Sequence, residues 1–233
     1  MTRVLIELDG VSHAFGDGAA RREVLRDVTW RGDERRIGVI GANGSGKSTL
    51  ARLLNALVVP SAGAVRLDGL DTRRKAKEVR RRVGFCFTDP DSQIVMPTVA
   101  EDVAFGLRRR LPKDEIAARV DHYLGRFGLA GHRDHPAHLL SGGQKQLLAL
   151  ASVLVTEPDL LVMDEPTTLL DLRNAGEVAR IVEGLEQQVV LVTHQLDLVR
   201  GFDRVLVVDG GQIVADESPD AAVAAYRALM ARR

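Results

Sequence analysis

The sequence predicts an α/β fold in which a mostly parallel sheet is flanked by helices. Three short apolar segments, residues 37–40, 160–163 and 189–192, end at a glycine, at an acidic pair and at a Thr-His pair. Segments with leucine and valine at helical spacing alternate with them, as in parallel sheets whose faces are covered by helices. Residues 4–8 and 24–30, on either side of a polar loop, predict an additional antiparallel pair of strands.

The first apolar segment leads into GANGSGKST at residues 41–49, which matches the phosphate-binding loop G-x-x-x-x-G-K-[ST]. Its glycines permit positive φ and let backbone N–H groups surround phosphate oxygens. We expect Lys47 to reach the outer phosphates, and Ser48 to offer its hydroxyl to Mg²⁺. The following helix directs the positive end of its dipole at the anion. A glycine turn before an ordinary helix would not require Lys and Ser there, so the stretch predicts a nucleotide site.

The other two apolar segments end at Asp164-Glu165 and at His194. Because ligands bind parallel sheets at the carboxyl ends of the strands, these side chains are expected to converge near the phosphate-binding loop. Asp164 is then expected to hold Mg²⁺, directly or through water, and Glu165 to polarise an attacking water. His194 is expected to contact the terminal phosphate. An acidic pair or a lone histidine is weak evidence by itself, but the set predicts nucleotide hydrolysis.

Residues from about 88 to 138 predict a mainly helical insertion between two parts of the α/β core. Thr98 is expected to cap one helix, and residues 114–127 have the pattern of a second. Ser141 then introduces a longer helix over residues 145–155. The insertion therefore separates the phosphate-binding loop from the acidic strand without adding a strand of its own.

Composition and charge exclude several classes of protein. The 233 residues contain 45% hydrophobic residues, enough for a sizeable core, and 32 basic residues balance 32 acidic ones. The basic run at residues 73–82 lacks interleaved aromatic residues, which favours a solvated helix face over a nucleic-acid site. The single Cys86 excludes an internal disulfide. No signal peptide or spanning apolar run of about 20 residues is expected, and residues 219–233 predict one alanine-rich helix.

Taken together, these motifs resemble those of ATP-binding-cassette (ABC) ATPases over nearly the whole chain. The resemblance rests on the phosphate-binding loop, the segment Leu140-Ser141-Gly142-Gly143-Gln144, the acidic strand, the segment Leu169-Leu170-Asp171, and His194. It implies one ATPase domain over residues 1–233, built on a P-loop NTPase core. A helical signature subdomain at about 88–156 would belong to it. It also implies that two copies pack head to tail, so that the signature segment, residues 141–144, closes over ATP bound to the partner.

The resemblance assigns roles residue by residue. Glu165, His194 and Lys47 would be catalytic, and Phe15 would stack on adenine, although spacing alone favours core packing for it. Mg²⁺ would be held by Ser48 and Asp164, with Thr88 as a further candidate. The expected ATP-binding residues are Phe15, Gly41, Asn43, Gly44, Ser45, Gly46, Lys47, Ser48, Thr49, Ser141, Gly142, Gly143, Gln144 and Asp171.

Thr88 is the one departure from the family pattern, which places a glutamine at the end of the strand over residues 83–87. That glutamine reaches Mg²⁺ and the attacking water. A threonine hydroxyl can bind Mg²⁺ or a bridging water but cannot span the same distance, and Gln93 is not an obvious substitute. We therefore expect Thr88 to act through water or loop closure, at a cost in hydrolysis rate.

Residues 85–108 resemble the ATPases of energy-coupling-factor (ECF) transporters, which import vitamins and transition-metal ions. Thr88 and the run at residues 94–98 are most similar to the ATPase of the dedicated biotin transporter. The resemblance implies a peripheral protein on the cytoplasmic face of the cell membrane. Its expected partners are a transmembrane coupling subunit and a substrate-binding membrane subunit, with Ile94, Met96 and Phe105 either contacting them or packing in the core. Nucleic acid is not an expected partner.

Several alternatives stay open at this point. A cobalt or nickel importer of the ECF type fits the same motifs, because cargo binds another subunit. A soluble ABC ATPase of DNA maintenance would require a long coiled coil between residues 49 and 140, and no sustained heptads occur there. A non-hydrolysing regulatory module is supported only by Thr88. The ATPase is expected as a homodimer, with a heterodimer of paralogues not excluded.

Overall fold

The computed structural model describes residues 3–108 and 110–232, apart from the side chain of Ala19. The chain divides into two compact units, the first formed by residues up to 84, 159–165 and from 186 onward. The second contains residues 85–158 and 166–185. Arg233, the last residue of the predicted tail helix, lies outside the described residues. No helix of the described part is long and apolar enough to cross a membrane.

The first unit contains a four-stranded sheet and, except for residues 85 and 86, a six-stranded sheet. The four-stranded sheet has the order β2-β1-β4-β5 and is antiparallel. β1 starts two residues later than the predicted strand over residues 4–8 and continues well past it, whereas β2 extends the predicted strand over residues 24–30 by two residues at each end. Its strands are β1 (Ile6–Phe15), β2 (Arg22–Gly32), β4 (Ala62–Leu67) and β5 (Leu70–Asp71).

The six-stranded sheet has the order β10-β9-β3-β8-β7-β6. Its strands are β3 (Arg36–Ile40), β6 (Val83–Cys86), β7 (Leu160–Asp164), β8 (Gln188–Val192), β9 (Arg204–Asp209) and β10 (Gln212–Glu217). β3 lies parallel to both β8 and β9, and β7 lies parallel to β8, whereas β10 returns antiparallel to β9. β3, β7 and β8 are buried at every position, as expected for strands covered on both faces.

The α-helices described in the first unit are α1 (Lys47–Leu54), α2 (Ala76–Arg82) and α7 (Pro219–Met230). α1 buries the predicted leucines 50, 53 and 54, while Leu57 lies beyond its end and is exposed. α2 begins three residues later than the basic run. The Asp71 carboxylate accepts hydrogen bonds from the backbone N–H groups of Arg73 and Arg74, which forms a turn instead of a helical start. α7 packs on β9 and β10.

The second unit is helical, as predicted for residues 88–138, and contains α3 (Val99–Phe105), α4 (Lys113–Arg126), α5 (Gly142–Leu154) and α6 (Leu172–Glu183). Thr98 caps α3 in a capping box with Glu101, as expected. α5 starts three residues before the predicted helix, because Ser141 is its cap. The sequence analysis did not predict α6 or β10. α6 has a narrow apolar stripe, with Ala175, Val178 and Val182 buried at helical spacing, whereas β10 has no fully buried residue.

Candidate functional site

The phosphate-binding loop follows β3 and leads directly into α1. Two of its glycines cannot be replaced without a clash. Gly41 has a φ of 155°, and a Cβ there would lie 2.1 Å from the carbonyl oxygen of Val208. Gly46, at a φ of 108°, is the residue before α1, where a Cβ would lie 2.8 Å from the Val24 carbonyl oxygen. The motif glycines are therefore required both by the loop conformation and by the strands packed against it.

Lys47 is buried, and its ammonium points back into the loop. Its Nζ donates to the carbonyl oxygens of Gly41 at 2.8 Å and Ala42 at 3.0 Å. Burial lowers the pKa of Lys47, and the carboxylates of Glu165 and Asp164 partly oppose that shift. The hydrogen bonds of the Lys47 ammonium therefore go to neutral carbonyls, and a phosphate at this loop would give this buried cation a charged hydrogen-bond partner.

Ser48 and Asp164 meet as the sequence predicts. The Ser48 hydroxyl donates to Asp164 Oδ1 at 2.8 Å, and the Asp164 side chain is only 2% exposed. Burial raises the pKa of Asp164, which the Ser48 hydrogen bond and the positive charge of Arg52 partly offset. The pair offers a hydroxyl and a desolvated carboxylate, two hard oxygen donors of the type that Mg²⁺ prefers. These donors fit a Mg²⁺ ion bound together with phosphates. Among the described residues no group of three His, Cys, Asp or Glu side chains could hold a metal alone.

Glu165 and His194 are hydrogen-bonded to each other at the ends of neighbouring strands. His194 Nδ1 lies 2.6 Å from Glu165 Oε2, and the His194 backbone N–H donates to the same oxygen at 3.3 Å. Glu165 has a φ of 53°, a left-handed conformation that is uncommon for a non-glycine residue and is enriched at functional sites. Its backbone N–H bonds to Val192 in β8 at 2.9 Å. The strand ends therefore bring the two predicted catalytic side chains together.

Phe15 ends β1, and its ring is 45% exposed, so it is not core filling. It meets His13 edge-on, with ring centroids 4.6 Å apart. In β2, Arg22 is its cross-strand partner, and Arg22 Nη2 lies 4.0 Å from the position a Cβ would take at Gly44. Phe15 is thus an exposed aromatic residue paired with an arginine that approaches the phosphate-binding loop, and such a ring is suited to stacking on a flat base.

The remaining loop residues predicted to bind nucleotide lie where the motif requires. Asn43 and Gly44 are exposed at the tip of the loop, whereas Ser45 and Thr49 are buried. The Ser45 carbonyl accepts from the backbone N–H of Gly211 at 3.0 Å, which ties the loop to the β9–β10 turn. The loop is therefore supported by β9, β10 and β2.

In the second unit, the signature segment forms the start of α5. Ser141 and Gln144 make a reciprocal capping box: the Gln144 N–H donates to Ser141 Oγ at 3.4 Å, and the Ser141 N–H donates to Gln144 Oε1 at 3.0 Å. Gly143 packs against α6, since a Cβ there would lie 2.4 Å from the Asn174 side chain. Gly142 has open space around it. The segment thus presents a helix N-terminus, whose backbone N–H groups and dipole favour an anion.

Asp171 and Thr88 are the other predicted residues of the second unit. Asp171 is the cap of α6 and accepts from the Asn174 N–H at 2.8 Å. Thr88 lies two residues after β6 and is partly exposed. Gln93 is held inside its own unit, because its Oε1 accepts from the Phe87 N–H and its Nε2 donates to the Ala149 carbonyl at 2.9 Å. Gln93 therefore does not supply the missing glutamine.

The sequence analysis did not single out three residues near these groups. Arg52 Nη2 lies 3.7 Å from Asp164 Oδ2, Arg22 approaches Gly44, and His132 contacts Gln144. Arg52 is one turn after Ser48 on α1, so helical spacing could have indicated it. Arg22 depends on strand register and His132 on the packing of a short helix, and neither follows from local sequence.

Comparison with known proteins identifies the family of the chain. The family model described as ABC transporter matches residues 28–168. The chain is 55% identical to a Deinococcus radiodurans protein whose name assigns it provisionally to the ATP-binding proteins of ABC transporters, over 97% of this chain and 99% of that one. It is 47% identical to the biotin transport ATP-binding protein BioM of Rhizobium etli, over 97% and 99%. The energy-coupling factor transporter ATP-binding protein EcfA1 of Symbiobacterium thermophilum is 46% identical, over 91% and 79%.

Solved structures with the same fold include cbiO1 of Clostridium perfringens, described as part of the ABC transporter complex cbiONQ. It has a TM-score of 0.82 and 30% identity and covers 99% of this chain and 94% of its own. The ATP-binding cassette MJ0796, in a dimeric post-hydrolysis state with ADP and phosphate, gives a TM-score of 0.82 at 26% identity, over 92% and 98%. The chain therefore belongs to the ABC transporter family and is one of its ATPases. The predicted fold class and the resemblance to ABC ATPases are confirmed.

Proposed function

We propose that this ATPase is the energising subunit of an ECF-type importer, which dimerises over ATP and drives uptake of a vitamin, biotin, through a transmembrane coupling subunit. The observation that carries the ATPase part is the convergence of Glu165-His194 and Ser48-Asp164 beside the phosphate-binding loop. The identity of 47% with BioM over nearly all of both chains supports the biotin assignment. We propose that residues 1–233 act as one domain, with 88–156 as its signature subdomain.

The chemistry assigned to each residue follows from its environment. Phosphate oxygens would replace the loop carbonyls as hydrogen-bond partners of the Lys47 ammonium. The buried cation would then have negatively charged partners, which offset the cost of its desolvation. Ser48 and Asp164 would hold Mg²⁺, which neutralises charge on the outer phosphates when bound. Glu165 would accept a proton from the attacking water, and its bond to His194 fixes the direction of the carboxylate. Thr88 would contribute its hydroxyl through water.

Dimerisation explains why the signature segment begins a helix with open amides. Ser141 and the amides of Gly142 and Gly143 would bind the γ-phosphate of ATP held by the second copy. ATP would then link the two copies, and loss of the γ-phosphate would release them. The dimeric state of the MJ0796 cassette supports this arrangement. The intact residues for both halves of the site are consistent with a homodimer that has two working sites.

A groove in the second unit offers a place for the transmembrane partner. It has a volume of about 310 Å³, and its walls are formed by Asp91, Ile94, Val95, Met96, Pro97, Ala137 and His138. Val95 is 63% exposed and Phe105 52%. The buried Asp102 carboxylate holds the wall at residues 95 and 96, because it accepts from the Val95 and Met96 N–H groups at 2.9 and 3.1 Å. A membrane-embedded partner bound here would keep the ATPase peripheral, on the cytoplasmic face.

A pull-down of the tagged chain from gently solubilised membranes, with mass spectrometry of the recovered proteins, tests the transport assignment. We expect a transmembrane coupling subunit together with a biotin-binding membrane protein. Substitution of Val95 by Asp should reduce their recovery, whereas the exposed Val214 in β10, changed to Asp, serves as the control. Recovery of metal-binding membrane subunits with the chain would leave the importer mechanism in place and replace biotin by a metal ion as the transported solute. Recovery of DNA-maintenance proteins without any membrane protein would contradict the proposal.

A further inference from the structure

His132 contacts the signature segment, residues 141–144, through the side chain of Gln144. It ends a short 3₁₀ helix, Ala130–His132, between α4 and α5. Its Nε2 lies 3.1 Å from the Nε2 of Gln144. Nothing in the motif pattern requires a histidine at this position.

The bonds of Gln144 fix the state of the His132 ring. Gln144 Oε1 is already committed, since it accepts from the Ser141 N–H at 3.0 Å. The amide group facing His132 is therefore the Nε2 donor, and His132 Nε2 must accept with its lone pair. The ring proton then lies on Nδ1, which is buried without a hydrogen-bond partner among the described residues. The His132 ring also packs against the His135 ring in a T-shaped arrangement, with the two ring centroids 5.0 Å apart.

We propose that His132 is a positioning residue for the signature segment, acting as a neutral acceptor that fixes the Gln144 amide. The chain of bonds runs from His132 to the Gln144 amide and from Gln144 Oε1 to the Ser141 backbone. It orients the cap of α5, and with it the Ser141 hydroxyl and the first amides of the helix. This inference rests on the proposed function, in which those groups bind ATP held by a second copy.

Loss of this positioning role would have different effects from a general loss of stability. Without an acceptor at 132 the Gln144 amide can rotate, and the Ser141 N–H loses its fixed partner, but the hydrophobic contacts of α5 remain. ATP binding to a single chain uses the phosphate-binding loop of the first unit, so its affinity should be unaffected. Association of two copies, which uses the signature segment, should weaken.

Two substitutions distinguish a hydrogen-bond role from a packing role. His132→Gln places a side-chain oxygen where Nε2 accepts, whereas His132→Leu keeps comparable bulk without an acceptor. His122 on α4 is exposed, and His122→Leu is the matched control in the same unit. All variants are made with Glu165→Gln, which is expected to trap the ATP-bound dimer. Dimerisation is measured by sedimentation with Mg²⁺-ATP, and nucleotide affinity by a fluorescent ATP analogue at low protein concentration.

We expect His132→Leu to weaken ATP-dependent dimerisation by about 5- to 30-fold, the effect of one lost buried hydrogen bond. His132→Gln should restore it, and nucleotide affinity should be the same in all variants. Unimpaired dimerisation in His132→Leu would overturn the inference, as would equal impairment in His132→Gln with a lowered melting temperature.

The same variants give a second measurement that does not need a dimer. Backbone amide hydrogen exchange at Ser141, whose N–H donates to Gln144 Oε1, should be faster in the isolated chain of His132→Leu than in His132→Gln or His122→Leu. If the parental protein failed to dimerise with ATP, the proposed function would fall, while this exchange pattern would still decide whether His132 holds the signature cap. Equal exchange in all variants would refute the inference.

Discussion

At the scale of single residues, the site consists of ionised groups placed where burial disfavours their charge. Asp164 has a pKa raised by burial, and Lys47 has a pKa lowered by burial. Both groups would gain partners from Mg²⁺ and phosphate. The nucleotide-free protein is therefore less stable than a neutral version of the same site, which is a common compromise at functional sites.

Substitution of Asp164 by Asn should stabilise the nucleotide-free chain while removing Mg²⁺-dependent hydrolysis. Because the folded pKa of Asp164 is raised, the cost of its charge is full above that pKa and disappears as the pH falls through it. The stabilisation by Asn should therefore be largest at neutral pH and should shrink on acidification. Thermal unfolding checks this, with a shift of about 2–4 °C for each kcal/mol relieved. A variant less stable than the parent at neutral pH would contradict this account.

Thr88 supports a prediction about rate. If its hydroxyl acts through water at the Mg²⁺ site, Thr88→Ala should lower ATPase turnover and alter its Mg²⁺ dependence, and Thr88→Gln should raise turnover. Thr98, which caps α3 through Glu101, provides a threonine outside the site, and Thr98→Ser as the control keeps the capping hydroxyl. Steady-state ATPase assays over a range of Mg²⁺ concentrations measure the effect. Unchanged activity and Mg²⁺ dependence in Thr88→Ala would refute the role.

At the scale of elements, close approach of strands decides which glycines with a positive φ can be replaced by a residue with a side chain. Gly63 in β4 has a φ of 74°, and a Cβ there would lie 2.2 Å from the carbonyl oxygen of Gly10. Gly69, between β4 and β5, has a φ of 77° but open space around it. The two glycines share the backbone conformation and differ only in their surroundings.

Alanine at these two positions should separate conformational strain from a steric clash. Gly69→Ala should cost about 1–2 kcal/mol, the penalty of a left-handed conformation. Gly63→Ala should cost about 1–3 kcal/mol more, because β1 and β4 must move apart. Chemical denaturation of both variants gives the difference. Equal losses would show that β1 adapts to the added methyl group without cost.

The sequence predicted the elements that carry motifs better than the elements that only cover the sheet. The phosphate-binding loop, the acidic strand and the capping box at Thr98 were all predictable, because each has local chemistry tied to fixed spacing. α6 was missed although Ala175, Val178 and Val182 are buried at helical spacing, and β10 was missed because none of its residues is fully buried. The start of α2 was displaced by the carboxylate of Asp71, which competes for the backbone N–H groups.

At the scale of the whole molecule, the site depends on strands that are far apart in sequence. Residues 41, 164 and 194 meet only because β3, β8 and β7 are neighbours and parallel. The general location follows from the rule for parallel sheets. The 2.6 Å bond between Glu165 and His194 does not follow from it, nor does the contact of His132 with Gln144. Such details depend on side-chain packing that a single sequence does not specify.

The most direct test of the account is a comparison of ATP binding and turnover in Glu165→Gln. Exposed Glu186, changed to Gln, is the matched control in the same unit. We predict that Glu165→Gln binds Mg²⁺-ATP as tightly as the parent, loses about 10²–10⁴-fold in turnover and accumulates an ATP-bound dimer. Turnover close to that of the control would contradict the assignment of Glu165 as the base and, with it, the hydrolytic mechanism proposed for this chain.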